Sequence, residues 1–210
     1  MHAEIVSIGD EITSGRLLDT NSQWISERLA DLGIRVLYHT SVGDDLDACT
    51  GVFRQALARA DLVIATGGLG PTADDLTREA LAQAVDRPLV LNQAALAHVR
   101  GIFARRNRVM PASNERQAFL PEGAQVIHNP NGTAPGIDLT VSRSGRGESR
   151  LLALPGVPAE IDEMWRDSVG ETIERFAGEA RVIRHRSIKC FGAGESQVEA
   201  MLPDLIRRGR

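Results

Sequence analysis

This chain of 210 residues lacks the usual marks of a disulfide framework, a metal cage, a membrane anchor or a nucleic-acid surface. It has two cysteines, Cys49 and Cys190, far apart in the sequence, which read as reduced, small apolar residues. The five histidines (2, 39, 98, 128 and 185) show no HxH, HExxH or mixed His/Cys spacing, which speaks against a structural zinc site. No charged-then-apolar leader opens the chain, and no apolar run approaches the roughly 18 residues of a spanning helix. A soluble, cytoplasmic protein without a membrane partner is expected. The net charge of −4 and pI of 5.8 give no general basic surface, so nucleic acid is not an expected partner. The runs Arg105-Arg106-Asn107-Arg108 and Arg207-Arg208-Gly209-Arg210 read as a solvated helix end and an exposed tail. There are no repeats and no low-complexity segments. With 42% hydrophobic residues, the length suffices for one sizeable core, or one core and a small appendage.

What is present centres on Ala65–Ala80, ATGGLGPTADDLTREA. The apolar run Asp61–Ala65 leads into it, and Leu76, Ala80, Leu81, Ala84 and Val85 leave it on one helical face. Strand, glycine-rich turn and helix place backbone N–H groups where an anion can sit. Gly67, Gly68 and Gly70 permit positive φ and close approach. Asp74 and Asp75 beside such amides suggest a phosphate held by backbone and a divalent cation held by carboxylate. The block is neither GxGxxG nor GxxxxGK[ST], and no lysine follows. A second reading stands beside this one: Thr72-Ala73-Asp74-Asp75 is also a helix capping box.

Taken in order, Ala3–Gly9 predicts a strand, followed by a loop over residues 9–15 carrying Asp10 and Glu11. A helix with Trp24, Ile25, Leu29 and Leu32 inward ends at Gly33, Trp24 serving packing. Ile34–Val42 predicts the second strand, and Gly43-Asp44-Asp45 opens a helix with Cys49, Phe53 and Leu57 inward. Capping accounts for one of these two acids and leaves the other for solvent or metal. Three successive strand–loop–helix units set their loops on one edge of a parallel sheet, the edge where such sheets bind ligands. One site built from Asp10/Glu11, Asp44/Asp45 and Asp74/Asp75 is therefore expected. Residues 87–120 break the alternation and read as a helical insertion, with helices after Asn92 and over Pro111–Phe119. Asn114, Arg116 and Gln117 are its polar candidates for ligand contact or surface. Gln125–His128 predicts a strand, residues 129–136 a turn-rich loop, and Ile137–Val141 with Arg150–Leu154 a hairpin. Leu154-Pro155-Gly156-Val157-Pro158 is a second strand–turn–helix junction, with Pro158 at the first helical position. Past Ala177-Gly178, a strand over Arg181–Lys189 and a helix from Gly192 to Leu205 cannot bury a core alone, and a subdomain continuing beyond the chain is expected.

Gly9-Asp10-Glu11-Ile12, Asp19-Thr20-Asn21, Val42–Asp45, TGGLGPT-x-DD-x-T over 66–77, Asn129-x-x-Gly132–Gly136 and Leu154–Pro158 occur in this order. With these blocks the chain resembles the N-terminal domain of the CinA (competence/damage-inducible protein A) family, and more distantly the molybdopterin-binding MogA and MoaB proteins. The resemblance covers nearly the whole chain and implies a three-layer α/β/α sandwich with a mostly parallel sheet over residues 1–176. It also implies an incomplete small α+β subdomain over 177–210, and self-association into a homo-oligomer. It implies a metal-dependent ADP-ribose pyrophosphatase: a nucleotide diphosphate as partner, and Mg²⁺ or a similar divalent metal as cofactor. Asp44 and Asp75 are the implied metal ligands, and Asp44, Asp74, Asp75 and Glu11 the implied catalytic acids. Gly67, Gly68, Gly70, Thr72, Asn129, Gly132, Pro155 and Gly156 are the implied phosphate and nucleotide contacts. Alternatives are a molybdopterin-binding protein or adenylyltransferase, and a non-catalytic nucleotide-binding module. The adenylyltransferases carry Arg-Asp where this chain has Asp74-Asp75. Nothing resembles the deamidase domain that other CinA proteins carry.

Overall fold

Burial with a period of two builds the central sheet. In strand β1 (His2–Ile8), Ala3 and Ile5 pack on one face and Val6 and Ile8 on the other. A strand covered on both sides reads in sequence as a continuous apolar run. The computed structural model describes residues 1–143, 145–178 and 189–201.

After β1 the chain makes a helical turn, α1 (Asp10–Thr13), where the sequence suggested a loop; the Ile12 and Thr13 N–H groups both donate to the Gly9 carbonyl. Helix α2 (Thr20–Asp31) is capped by Asp19, whose side chain accepts the Ser22 N–H, and the chain turns out at Gly33 with φ 73°. Strand β2 (Arg35–Val42), helix α3 (Leu46–Arg59) and strand β3 (Leu62–Thr66) follow. Asp45 caps α3 through the Ala48 N–H, which leaves Asp44 for other work, as the paired acids suggested. Helix α4 is Thr77–Ala84, strand β4 Leu89–Leu91, helix α5 Gln93–Arg105 and strand β5 Phe119–Pro121. A 3-10 segment, Ala112–Ala118, precedes β5. The insertion thus contains the two expected helical pieces, but an antiparallel pair, β4 with β5, closes it. Strands β6 (Gln125–Ile127), β7 (Gly136–Arg143) and β8 (Gly147–Leu154) precede helix α6 (Pro158–Met164), a π turn (Trp165–Val169) and helix α7 (Gly170–Ala177).

The sheet runs β2-β1-β3-β8-β7-β6. The first four strands are parallel, and β7 and β6 continue antiparallel, each to its neighbour. Helices α2, α6 and α7 cover one face, around Ile25, Leu29, Ile161, Met164 and Ile173. Helices α3, α4 and α5 cover the other, around Phe53, Leu57, Leu81 and Leu96. This is the expected three-layer α/β/α sandwich with a mostly parallel sheet. Because β2 and β3 flank β1 on opposite sides, the winding reverses at β1/β3, and a crevice opens at the carboxyl ends of these strands. The strand expected over residues 181–189 lies, but for Lys189, outside the described residues; the helix beyond it is present as α8 (Glu195–Met201). Among the described residues no helix is long and apolar enough to cross a membrane. Cys49 is a buried free thiol, and Cys190 is exposed.

Among the described residues Glu4 is the one acid that is fully buried, at 0% exposure. Arg59 grips it with Nε at 2.7 Å and Nη2 at 2.6 Å, Thr40 Oγ1 donates to it at 2.7 Å, and Tyr38 lies against the guanidinium at 3.9 Å. Removing one partner of such a pair strands a buried charge. Arg59→Met is expected to lower unfolding free energy by about 3–5 kcal/mol. Urea unfolding should show Glu4→Gln/Arg59→Met losing clearly less than the single variant.

Candidate functional site

The crevice is a cleft of about 380 Å³ lined by residues from every strand end around the reversal. Ile8, Gly9 and Glu11 come from the end of β1, Asp44 from β2, Gly67, Gly68, Leu69, Gly70, Pro71, Asp74 and Asp75 from β3, and Pro155, Gly156 and Val157 from β8. Gln117 of the 3-10 segment, Thr133 and Ala134 of the 129–136 loop, and Glu160 of α6 complete it.

The glycine turn is held so that its carbonyls face inward. Gly67 O accepts the Thr77 hydroxyl at 2.8 Å and Gly68 O the Thr77 N–H at 3.2 Å. Leu69 O and Gly70 O accept Arg78 Nη1 at 2.6 Å and Nη2 at 2.9 Å. In a trans peptide the N–H of the next residue points opposite the carbonyl. The Gly68 and Leu69 N–H groups therefore face away from α4, and no acceptor meets them among the described residues. That is an anion-binding arrangement. Gly67 sits at φ 100° and Gly68 at φ 65°; a Cβ on the first would strike the Ile8 carbonyl, and one on the second the Thr77 hydroxyl. Only glycine serves there.

Arg78 is 1% exposed, and no carboxylate lies within ion-pair distance of it among the described residues. Burial above all draws its pKa below the usual arginine value, with nearby Glu79 and Asp75 pulling the other way. On the opposite side of the turn, Asp75 accepts the Gly70 N–H on Oδ1 and the Thr72 N–H on Oδ2, each at 2.8 Å, and the Thr72 hydroxyl at 2.5 Å. Here the structure departs from the capping box. Helix α4 starts later, at Thr77 after Leu76, because the Asp75 carboxylate folds back onto the turn. Thr72 serves Asp75 and is absent from the cleft wall.

Asp10 and Asp44 clasp one another: Asp10 N–H donates to Asp44 Oδ2 at 3.0 Å and Asp44 N–H to Asp10 Oδ1 at 3.1 Å. Of the acids at the three strand ends, Glu11, Asp44, Asp74 and Asp75 line the one cleft, while Asp10 clasps Asp44 behind it and Asp45 caps α3. Burial, first, and the neighbouring Asp10, Glu11 and Asp74 charges raise the Asp44 carboxyl above its ordinary range, against the Asp10 hydrogen bond. Asp74 is exposed and its carboxyl is lowered, chiefly by the Thr72 hydroxyl.

Asn129 and Gly132 stand behind the wall. Asn129, 0% exposed, donates to Ala134 O and Glu160 Oε2, both at 2.8 Å, and accepts the Gly132 N–H at 2.8 Å. A Cβ on Gly132 would collide with Glu160 and Asn129. His98 Nε2 meets Gly132 O at 3.1 Å, while Arg105 and Arg106 donate to Pro130 O and Asn131 O. These residues shape the loop, and Thr133 and Ala134 present it to the cleft. Burial, ahead of all else, lowers the His98 pKa, which suits a neutral ring in this role.

Three site residues lay beyond the strand-end acids and glycines. Glu160 follows Pro158 at a helix start, where an acid reads as ordinary dipole compensation. Arg78 sits in a helix whose apolar pattern makes any arginine look solvated. Gln117, which the sequence left open between ligand contact and surface, is 1% exposed.

Residues 4–175 match the family described as "Probable molybdopterin binding domain", and the chain belongs to that family. Within it, the relatives carry the name competence-damage inducible protein. That of Caldicellulosiruptor bescii is 42% identical over 206 residues, covering 98% of this chain and 48% of the relative. That of Bacillus subtilis is 42% identical over 205 residues, covering 97% and 48%. The chain thus spans about half the length of the curated relatives it matches. The crystal structure of CinA from Thermoplasma acidophilum, described as of unknown function, has 33% identity and a TM-score of 0.74 over 83% of this chain and 99% of its own. MoaB of Thermus thermophilus, 22% identical over 84% of this chain and 94% of its own with a TM-score of 0.55, shares the fold.

Two predictions follow from this geometry. Arg78→Met leaves two turn carbonyls with weakened partners, at about 1–3 kcal/mol each, and calorimetry should show the loss. For Asp44 the sign is the reverse of a paired carboxylate. Its raised folded value means the ionised form costs stability as pH rises from the unfolded value, near 4, through the folded one. Asp44→Asn, which can still accept the Asp10 N–H, is expected to raise Tm at pH 7 in cation-free buffer. That gain should shrink towards pH 4.

Proposed function

We propose that this domain is a divalent-cation-dependent pyrophosphatase acting on ADP-ribose or a similar nucleotide diphosphate. One observation carries the reading. Five carboxylates, Glu11, Asp44, Asp74, Asp75 and Glu160, line a cleft that among the described residues has no Lys, Arg or His in its wall, yet whose glycine turn offers free N–H donors. A diphosphate meets such a wall favourably only together with a counter-cation. Among the described residues no three His, Cys, Asp or Glu side chains are arranged to hold a metal by themselves. That suits Mg²⁺, which takes one or two carboxylates and completes its shell with phosphate and water. The donor set fits this group, with Asp44 and Asp75 as ligands and Glu11 and Asp74 beside them. A divalent cation supplies phosphoryl polarisation and an acidified water.

The chain's own part is positional. The Gly68 and Leu69 N–H groups bind phosphate oxygen, Asp75 and Arg78 fix the turn that presents them, and Glu11 and Asp44 orient the attacking water and accept its proton. The water oxygen bonds to one phosphorus and the bridging anhydride bond breaks, giving AMP and ribose 5-phosphate.

A second reading is AMP transfer to a molybdopterin phosphate. In its favour, the chain belongs to a molybdopterin-binding family, and Arg116 brings a guanidinium to the same turn, donating to Thr72 O and pairing with Glu79 at 2.9 Å. The purified chain is to be incubated with ADP-ribose, and separately with ATP and molybdopterin, each with Mg²⁺, Mn²⁺, Co²⁺ or EDTA, with products separated by chromatography. AMP and ribose 5-phosphate should form only with a cation. Asp44→Asn should slow this by about a hundredfold, the scale on which disturbed metal surroundings reduce activity. Adenylylated pterin without ADP-ribose cleavage would establish the second reading. Tight nucleotide binding with neither reaction would mark a non-catalytic module.

A further inference from the structure

Among the described residues Gln117 is the only amide side chain in the cleft wall, and it is incompletely satisfied. The residue is 1% exposed, and its Oε1 is buried without a hydrogen-bond partner. Its Nε2 reaches Leu69 O at a long 3.5 Å, a carbonyl that Arg78 already serves at 2.6 Å. The amide orientation is set by that carbonyl, since the reverse would oppose two acceptors. Buried side-chain acceptors without partners are uncommon, and each calls for an explanation. A leucine here would give up only the long contact. No donor of the cleft wall reaches this oxygen, the Thr133 hydroxyl and the free Gly68 and Leu69 N–H groups included.

We propose that Gln117 is a specificity-determining residue whose Oε1 accepts a hydrogen bond from an amino or hydroxyl group of the bound ligand. The inference rests on the nucleotide-diphosphate reading and deepens it. The phosphates lie on the Gly68 and Leu69 amides, and the donor group is carried by the part of the nucleotide that reaches the 3-10 segment. Two sources have that chemistry: the exocyclic amine of the adenine and the hydroxyls of a ribose. A site built to bond a donor rejects an analogue lacking it, because its buried acceptor then stays unpaired.

The test uses the full chain, with Gln117→Leu and the nearly isosteric Gln117→Met as variants. Binding with Mg²⁺ is measured calorimetrically for ADP-ribose, for its inosine analogue, which lacks the amine, and for its 2′-deoxy analogues. Steady-state kinetics are run in parallel. Wild type should bind ADP-ribose about tenfold better than the analogue lacking the responsible donor, the scale of one hydrogen bond. Both variants should lose about tenfold on ADP-ribose, as KM more than kcat, and should bind that analogue as wild type does. Tm of the variants should be unchanged or higher, since the orphan carbonyl is gone. Equal loss on every ligand, or a lowered Tm accounting for the loss, would assign Gln117 to scaffolding and overturn the proposal. So would unchanged binding in a wild-type-like variant. If wild type itself binds none of these compounds, the nucleotide reading fails, and this one with it.

Discussion

A buried guanidinium that meets no carboxylate among the described residues fixes the site. Arg78 takes the Leu69 and Gly70 carbonyls, Thr77 takes those of Gly67 and Gly68, and so four successive carbonyls face α4. Leaving such a charge unpaired is costly unless its donors are filled, and the turn's carbonyls fill them. Asp75 closes the same turn from outside through the Gly70 and Thr72 N–H groups. The turn is thereby clamped between a cation beneath and an anion above, with peptide units in between. What remains unspent is a pair of N–H groups over the carboxyl ends of β1 and β3. The sequence has no lysine after its glycines, and the structure places its positive charge under the turn.

The walls follow the same economy of polar groups. Asn129 uses both ends of its amide on the 129–136 loop and on Glu160, so one residue sets the loop's curvature and tethers it to α6. Arg105 and Arg106, which read as a solvated end, reach over to the carbonyls of Pro130 and Asn131. The insertion of residues 87–120 thus contributes in two ways. Its helix α5 buttresses the loop that carries Thr133 and Ala134, and its 3-10 segment inserts Gln117 into the cleft wall.

The layered fold was legible because both faces of the parallel strands are buried and the caps are local: Asp19, Asp45 and Asn92 each accept N–H groups of their own helix. The strand-end acids and glycines were legible because parallel connections send successive loops to one edge. Lost to the sequence was anything set by contact between distant segments. Asp75 read as a metal-binding acid or as part of a capping box, since the pattern cannot show that its carboxylate turns back to Gly70. Asn129 and Gly132 looked like ligand contacts, since a polar residue in a turn looks the same whether it faces the cleft or the loop's interior. Arg78 was invisible because a helix pattern assigns arginine to solvent, and only the tertiary placement of the turn supplies carbonyls to receive it. The short pair β4 and β5 was missed for a related reason. Three residues carry too little periodicity, and the pairing joins segments some thirty residues apart.

The distribution of charge decides what kind of ligand the cleft can serve. Asp44 and Asp10 satisfy each other's N–H groups while holding their own like charges close, an arrangement that geometry favours and electrostatics opposes. Among the described residues no basic side chain in the cleft wall shields this repulsion; Arg78 is occupied below the turn and Arg116 is paired with Glu79. A neutral ligand would leave the repulsion in place, and a bare phosphate would add to it. On the proposed reading, a phosphate accompanied by a divalent cation would relieve it on one side and satisfy the turn's N–H groups on the other. The acids and the glycine amides are therefore complementary parts of one requirement, and neither alone would select the pair.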